Sequence, residues 1–315
     1  MNWLDWLMTA ARFVSLTGAI LLTGIFGFHL LMNGSDRPAR NASRSDAGGE
    51  VLRLEFFAGK WIVVLELMAF LGQATWLGGL FWSLGPDVGL DGSEEYQAFF
   101  FGTQVGKIGL VRCGILLLLV TYRVLRSFGW RTKMVTWVEP VLAFVQLVLL
   151  SWLSHAAAVI GPWGWIQIGT DLLHLTSTAI WPAGLIPLWL LLKQAAPETI
   201  KRDILIRFSN VSLVLAPTVG ATGILSAYFR LHAVAPLITT PYGRYVLLKA
   251  ACFFVLIGLG AANRFRLIPG LRRSSEVALL AENWRRLRKN IWIEQALLIV
   301  VLFAVARLGL LAPPQ

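Results

Sequence analysis

Long apolar segments separated by short charged or turn-forming stretches constrain this chain more than any other feature. They cover residues 8–32, 57–84, 105–126, 134–159, 167–192, 205–229, 244–265 and 290–311. A helix needs about 20 mostly apolar residues to cross the hydrocarbon core of a bilayer. In lipid its backbone polar groups must be satisfied internally, which favours helices over irregular structure. The segments therefore predict an all-α, polytopic membrane protein with eight transmembrane helices in a single transmembrane domain, residues 1–315. Composition agrees, since only 14% of residues are charged where a soluble domain averages about 25%.

The net charge of +11 raises the question of nucleic acid, and its distribution answers it. Basic residues cluster after the first, third, fifth and seventh segments: Arg37, Arg40, Arg44 and Arg53; Arg126, Arg131 and Lys133; Lys193, Lys201, Arg202 and Arg207; and a run from Arg266 to Lys289. The intervening connections carry Asp87, Asp91, Glu94 and Glu95, or almost no charge. Such alternation sets topology and is no nucleic-acid footprint. The positive-inside rule predicts that the basic connections are cytoplasmic and that both termini lie outside. Trp163 and Trp165, with Gly161 and Pro162, predict a tight hairpin at the outer interface. The opening MNWLDWLMTAARF lacks a basic leader region and carries Asp5, so the first segment is expected to be retained. Cys113 and Cys252 sit inside apolar runs and offer neither a disulfide framework nor a CxxC site.

Self-comparison predicts a four-plus-four tandem repeat with halves at about 1–160 and 161–315, related by an axis along the membrane normal. WVEP at Trp137 recurs as WIEQ at Trp292, aligning Glu139 with Glu294. TQVGKIGLVRCG at Thr103 recurs as TPYGRYVLLKAA at Thr240, aligning Gly106 with Gly243, Lys107 with Arg244 and Arg112 with Lys249. Weaker echoes set Ser15 against His174 and Ala74-Thr75 against Ala221-Thr222.

Ionisable residues within spans are functional candidates. His155 ends the fourth segment, His174 lies about two turns into the fifth, and Asp171 precedes it by three residues. The short connection makes the two helices antiparallel neighbours. Imidazole suits copper or zinc, and a nearby carboxylate can orient a ligating ring. Hydrogen-bonded core histidines and axial haem ligands are the competing readings. His155 and His174 have no histidine counterparts in the other half, so the candidate site is asymmetric. His29 and Met32 form a soft pair at the inner end of the first helix, and His232 stands in an outer loop. Glu66, with Gln73 on the same face, serves either a proton or cation path or an interhelical pair. Glu139 and Glu294 are expected to pair with Lys133 and with Arg288 or Lys289. Lys107, Arg112, Arg244 and Lys249 read as interface anchors. No Walker A loop, GxSxG or HExxH occurs, so no catalytic residue is predicted and the chain is not expected to be an enzyme.

These segments resemble the copper resistance protein D (CopD) family of bacterial inner-membrane proteins. The resemblance is carried by SHAA from Ser154, DLLHL from Asp171, WPAGL from Trp181, RFS from Arg207, TTPYGRYVLLKA from Thr239 and NRFRLIP from Asn263. Trp181-Pro182-Ala183-Gly184 departs from the family's Trp-x-Gly-Gly. The resemblance implies a multi-pass inner-membrane protein that moves copper ion from periplasm to cytoplasm in copper uptake or resistance. It also implies a periplasmic copper-binding partner of the CopC type, and it places the family's helix histidines on His155 and His174. Copper is then expected to bind around His155, Asp171 and His174 and to pass Glu66 or Cys113 toward His29 and Met32. The wider superfamily's haem-binding HemJ-type protoporphyrinogen oxidases imply the alternative, a b-type haem protein in electron transfer or porphyrin oxidation.

Overall fold

The computed structural model describes residues 3–33, 60–88, 93–128, 137–154, 159, 161–194, 197–273 and 276–314. Among these the regular secondary structure is helical: α1 Trp3–Asn33, α2 Lys60–Val88, α3 Gln104–Ser127, α4 Val138–Ser151, α5 Pro162–Ile180, α6 Leu185–Lys193, α7 Glu198–Leu231, α8 Pro241–Ala262 and α9 Val277–Leu308. Short helical pieces, Ser93–Gln97 with a π-helical turn Ala98–Gly102, and Ala235–Thr239, lead into α3 and α8. A second π-helical turn, Asn263–Leu267, continues α8 into Ile268–Arg273. Seven spans are long and apolar enough to cross a membrane when α5 and α6 count as one and α8 is followed to Arg272. The fourth expected segment appears as α4, an apolar helix of 14 residues.

The fifth segment, expected over residues 167–192, is one span of two helices. Between α5 and α6 the chain turns through Trp181–Gly184. Pro182 has no N–H with which to reach the carbonyl of Thr178. The amide of Ala183 reaches that carbonyl instead, at 3.3 Å, and the Pro182 carbonyl accepts from Gln295 Nε2 of α9 at 2.9 Å. The break is thus held in protein, as backbone irregularity at membrane depth must be.

Helix α1 is the hub, packing against α2, α4, α5 and α9. Its contact with α2 is made by small residues: Gly18 lies against Ala69, and Gly72 against Ala11 and Ser15, which lets the two backbones approach closely. The opposite faces carry exposed Trp61, Leu117, Leu118, Ile224 and Phe254. On a soluble protein these would be a liability; here they are the surface that meets acyl chains.

One capping device opens both α3 and α8. Thr103 Oγ1 accepts from the amide of Gly106 at 2.9 Å and donates to the carbonyl of Phe99 at 2.7 Å. Thr240 Oγ1 accepts from the amide of Gly243 at 3.0 Å and donates to the carbonyl of Pro236 at 2.6 Å. A Cβ on either glycine would run into that same carbonyl, of Phe99 or of Pro236. Side-chain capping of this kind satisfies amides that the first helical turn leaves without partners.

Candidate functional site

Helices α5 and α7 pack together, bringing His174 to Thr222 with Nδ1 and Oγ1 2.9 Å apart. The Thr222 hydroxyl has a single proton and sits 2.6 Å from the carbonyl of Thr218, so that proton is committed within α7. His174 Nδ1 must therefore carry the hydrogen and donate to Thr222. This assignment of the tautomer, made from the bonding pattern, leaves Nε2 as the nitrogen with the lone pair. The ring packs beside Gly223, at a distance where an added Cβ would make ordinary van der Waals contact with it.

Asp171 points elsewhere. Its Oδ2 is 2.6 Å from Arg230 and its Oδ1 accepts from Ser226 Oγ at 3.0 Å. In an antiparallel pair, the residue one turn before His174 on α5 meets the residues one to two turns after Thr222 on α7, which are Ser226 and Arg230. The group that orients the imidazole is thus the Thr222 hydroxyl, where a carboxylate was expected.

His155 lies outside the described residues. His232 ends α7 in a left-handed conformation, φ 53°, exposed to solvent and ten residues beyond Thr222, about 15 Å along the helix axis. Met32 is buried in an apolar cluster with Phe28, Trp181, Leu185 and Leu188, and His29 is half-buried one turn earlier. Cys113 is a half-buried free thiol. Among the described residues no three His, Cys, Asp or Glu side chains come together as a metal cage.

Glu66 belongs to a buried ion-pair cluster. Arg123 Nε lies 3.2 Å from both of its carboxylate oxygens, and Arg123 donates from the other side of the guanidinium to Glu139 Oε2 at 2.9 Å. Of the two uses open to Glu66, the structure shows interhelical pairing. Glu139 was expected to pair with Lys133, which lies outside the described residues; its partners are Arg123, a cation of α3 that the sequence reading passed over, and, at 3.9 Å, Arg126. Glu294 was expected to meet Arg288 or Lys289, yet it accepts from Asn263 Nδ2 at 2.9 Å, and Asn263 in turn accepts from Asn290 at 2.7 Å. Its helix face turns inward to the π-helical turn, whereas Arg288 and Lys289 lie one to two turns back.

Two of the expected interface anchors are interior groups. Arg112 is 1% exposed and donates to Gln146 Oε1 at 3.1 Å, to Ser15 Oγ at 3.3 Å and to Gln73 Oε1. Lys249 is half-buried on α8, within electrostatic reach of His174 and Asp171. Lys107 and Arg244 are exposed, as anchors should be.

A bundle of membrane-crossing helices that buries hydrogen-bonded and charged side chains between them defines a polytopic integral membrane protein. The family model Copper resistance protein D matches residues 202–308, and the model Copper resistance protein D-like, N-terminal domain, matches residues 3–165. The chain belongs to the copper resistance protein D family. It is 25% identical to Copper resistance protein D of Pseudomonas syringae pv. tomato over 98% of this chain and 97% of that one. It is 28% identical to Inner membrane protein YebZ of Escherichia coli (strain K12) over 95% of this chain and 97% of that one. It is also 28% identical to Copper transport protein CutJ of Bacillus subtilis (strain 168), over 58% of this chain and 34% of that longer protein. No solved structure matches.

Proposed function

We propose that this protein handles copper in the bacterial inner membrane and carries it from the periplasmic side toward the cytoplasm, with both termini outside. The observation that carries the reading is the half-buried imidazole of His174, whose Nδ1 is engaged by Thr222 so that Nε2 is presented as a neutral donor. A neutral imidazole of fixed tautomer is a good copper ligand, and a hydrogen bond to its other nitrogen is the usual means of aiming it. His155, which the sequence puts at the facing end of the α4 segment, is the second ligand in this reading. Asp171 acts from one turn away by clamping α5 to α7 through Arg230. Glu66 is held by Arg123 and Met32 by an apolar core, so the inward path does not run through them. The names of the relatives from Pseudomonas syringae and Bacillus subtilis support copper as the cargo. A periplasmic copper-binding protein of the CopC type is the proposed donor. The matching caps of α3 and α8 support the duplication of a four-helix unit.

Cells producing the wild-type protein should accumulate more copper than cells without it, and His174→Ala or His155→Ala should abolish the difference at equal membrane abundance. Unchanged accumulation in both variants overturns the proposal. A Soret band in the purified protein that disappears with His174→Ala would assign the imidazole to haem iron instead.

A further inference from the structure

The polar cluster around Arg112 plays no part in the copper reading, and its chemistry points to a ligand of opposite charge. A small recess between α1, α2, α3 and α4 is lined by Arg12, Ser15, Gln73, Trp76 and Arg112, with Leu16, Leu150 and Leu153 closing its sides. It has room for about one water-sized body. Gln73 is fully buried and Trp76 is 6% exposed. Three buried donors on these residues have no acceptor among the described residues: Arg12 Nε, Gln73 Nε2 and Trp76 Nε1. Buried polar groups are otherwise almost always bonded, so three unpaired N–H groups on residues that line one recess call for an acceptor nearby; the Arg12 guanidinium also packs against Gly309 at the end of α9.

Charge makes the same demand. Among the described residues Arg112 is bonded to neutral acceptors, Gln73, Gln146 and Ser15, while Arg12 rests on the ring of Trp76 at 5.4 Å. No carboxylate lines the recess. Two guanidinium groups that share a site of low dielectric need a counter-charge.

Alignment of the two halves sharpens the contrast. With Ser15 set against His174, Arg12 falls on Asp171, and Arg112 falls on Lys249. The first half therefore carries a base where the second carries the acid that clamps α5 to α7.

We infer that this recess binds a small inorganic anion of halide size, held by Arg12, Arg112, Gln73 Nε2 and Trp76 Nε1. Chloride is the probe that tests it. Full-length protein in nanodiscs of neutral phosphatidylcholine should bind radiolabelled chloride saturably, at about one ion per chain given the room available. Bromide should displace it, and gluconate, too large for the recess, should not. Loss of a charged donor in Arg12→Gln should weaken binding by about tenfold or more, and Trp76→Phe, which keeps the packing, should weaken it measurably. Bromide-soaked crystals of the wild-type protein should show anomalous density between Arg12 and Trp76, a readout that needs no variant. Chloride binding no greater than that of protein-free nanodiscs, binding unaltered by both substitutions, or no bromide density in the recess would each overturn the inference. Copper accumulation is read separately, so failure here leaves the copper reading untouched.

Discussion

Thr222→Val removes the side-chain hydrogen bond that aims the ring of His174. Valine keeps the shape of threonine and removes its oxygen, so the 2.9 Å contact from His174 Nδ1 is replaced by a methyl group. The ring then has two choices. It can keep hydrogen on Nδ1 with the Val219 carbonyl as the remaining acceptor beside the ring, or move the hydrogen to Nε2 and lose the lone pair that would bind metal. Losing one hydrogen bond of this kind costs about 0.5–1.5 kcal/mol, and about 1.4 kcal/mol is a factor of ten in affinity. The expected loss of copper affinity is therefore roughly 2-fold to 10-fold, at the lower edge of the 10–100-fold typical of groups that orient a metal ligand. Thr222→Ser restores the oxygen and should restore affinity. The assay is competition for Cu(I) between purified protein and a chromogenic chelator, with circular dichroism to confirm that each variant is folded. Wild-type affinity in a folded Thr222→Val protein would refute the argument that this hydroxyl fixes the tautomer.

Arg123→Met leaves Glu66 and Glu139 buried without their shared cation, and breaking a buried pair costs about 3–5 kcal/mol. The melting temperature in detergent should fall sharply, and adding Glu66→Gln and Glu139→Gln should recover most of it; no fall would refute the cluster. Asp171→Asn should lower the melting temperature less, because its pair with Arg230 is more open, 17% and 12% exposed against 8% and 0% for Arg123 and Glu66. A loss as large as that of Arg123→Met would contradict that ranking. Gly→Ala inside a helix ordinarily stabilises by about 1 kcal/mol, but Gly106→Ala and Gly243→Ala should both destabilise, since each methyl would meet a carbonyl. A raised melting temperature in either variant would remove the steric case for the matching caps.

What could be read from the sequence divides along a physical line. Apolar runs report burial in lipid directly, and the third expected segment, residues 105–126, is nearly the observed α3, Gln104–Ser127. The Thr-x-x-Gly recurrence was legible as a repeat because its residues are adjacent in sequence, and the structure gives it its role as a helix cap. Pairings between helices were not, because which face meets which depends on packing rather than spacing. Asp171 looked like a partner for His174 three residues away, yet each finds its bond on α7. Arg123 carried a signal, a cation in the last turn of an apolar run, but its two acids lie 57 and 16 residues away. Arg112 and Lys249 read as surface anchors because a charge in a span is assumed to reach for water; Arg112 instead finds enough neutral acceptors inside. Pro182 stood out in the sequence only as a departure from the family's motif, and the structure shows that it breaks the fifth span and that Ala183 and Gln295 take over the bonds it disrupts.

The central claim is that His174 binds copper through Nε2. X-ray absorption spectroscopy of the copper-loaded, purified protein tests it most directly, compared between wild type and His174→Ala with copper content measured on the same samples. The account predicts an imidazole nitrogen in the first coordination shell of the wild-type protein, with the His174→Ala variant losing that scatterer and most of its copper. Equal copper content and an unchanged imidazole signal in His174→Ala would contradict it.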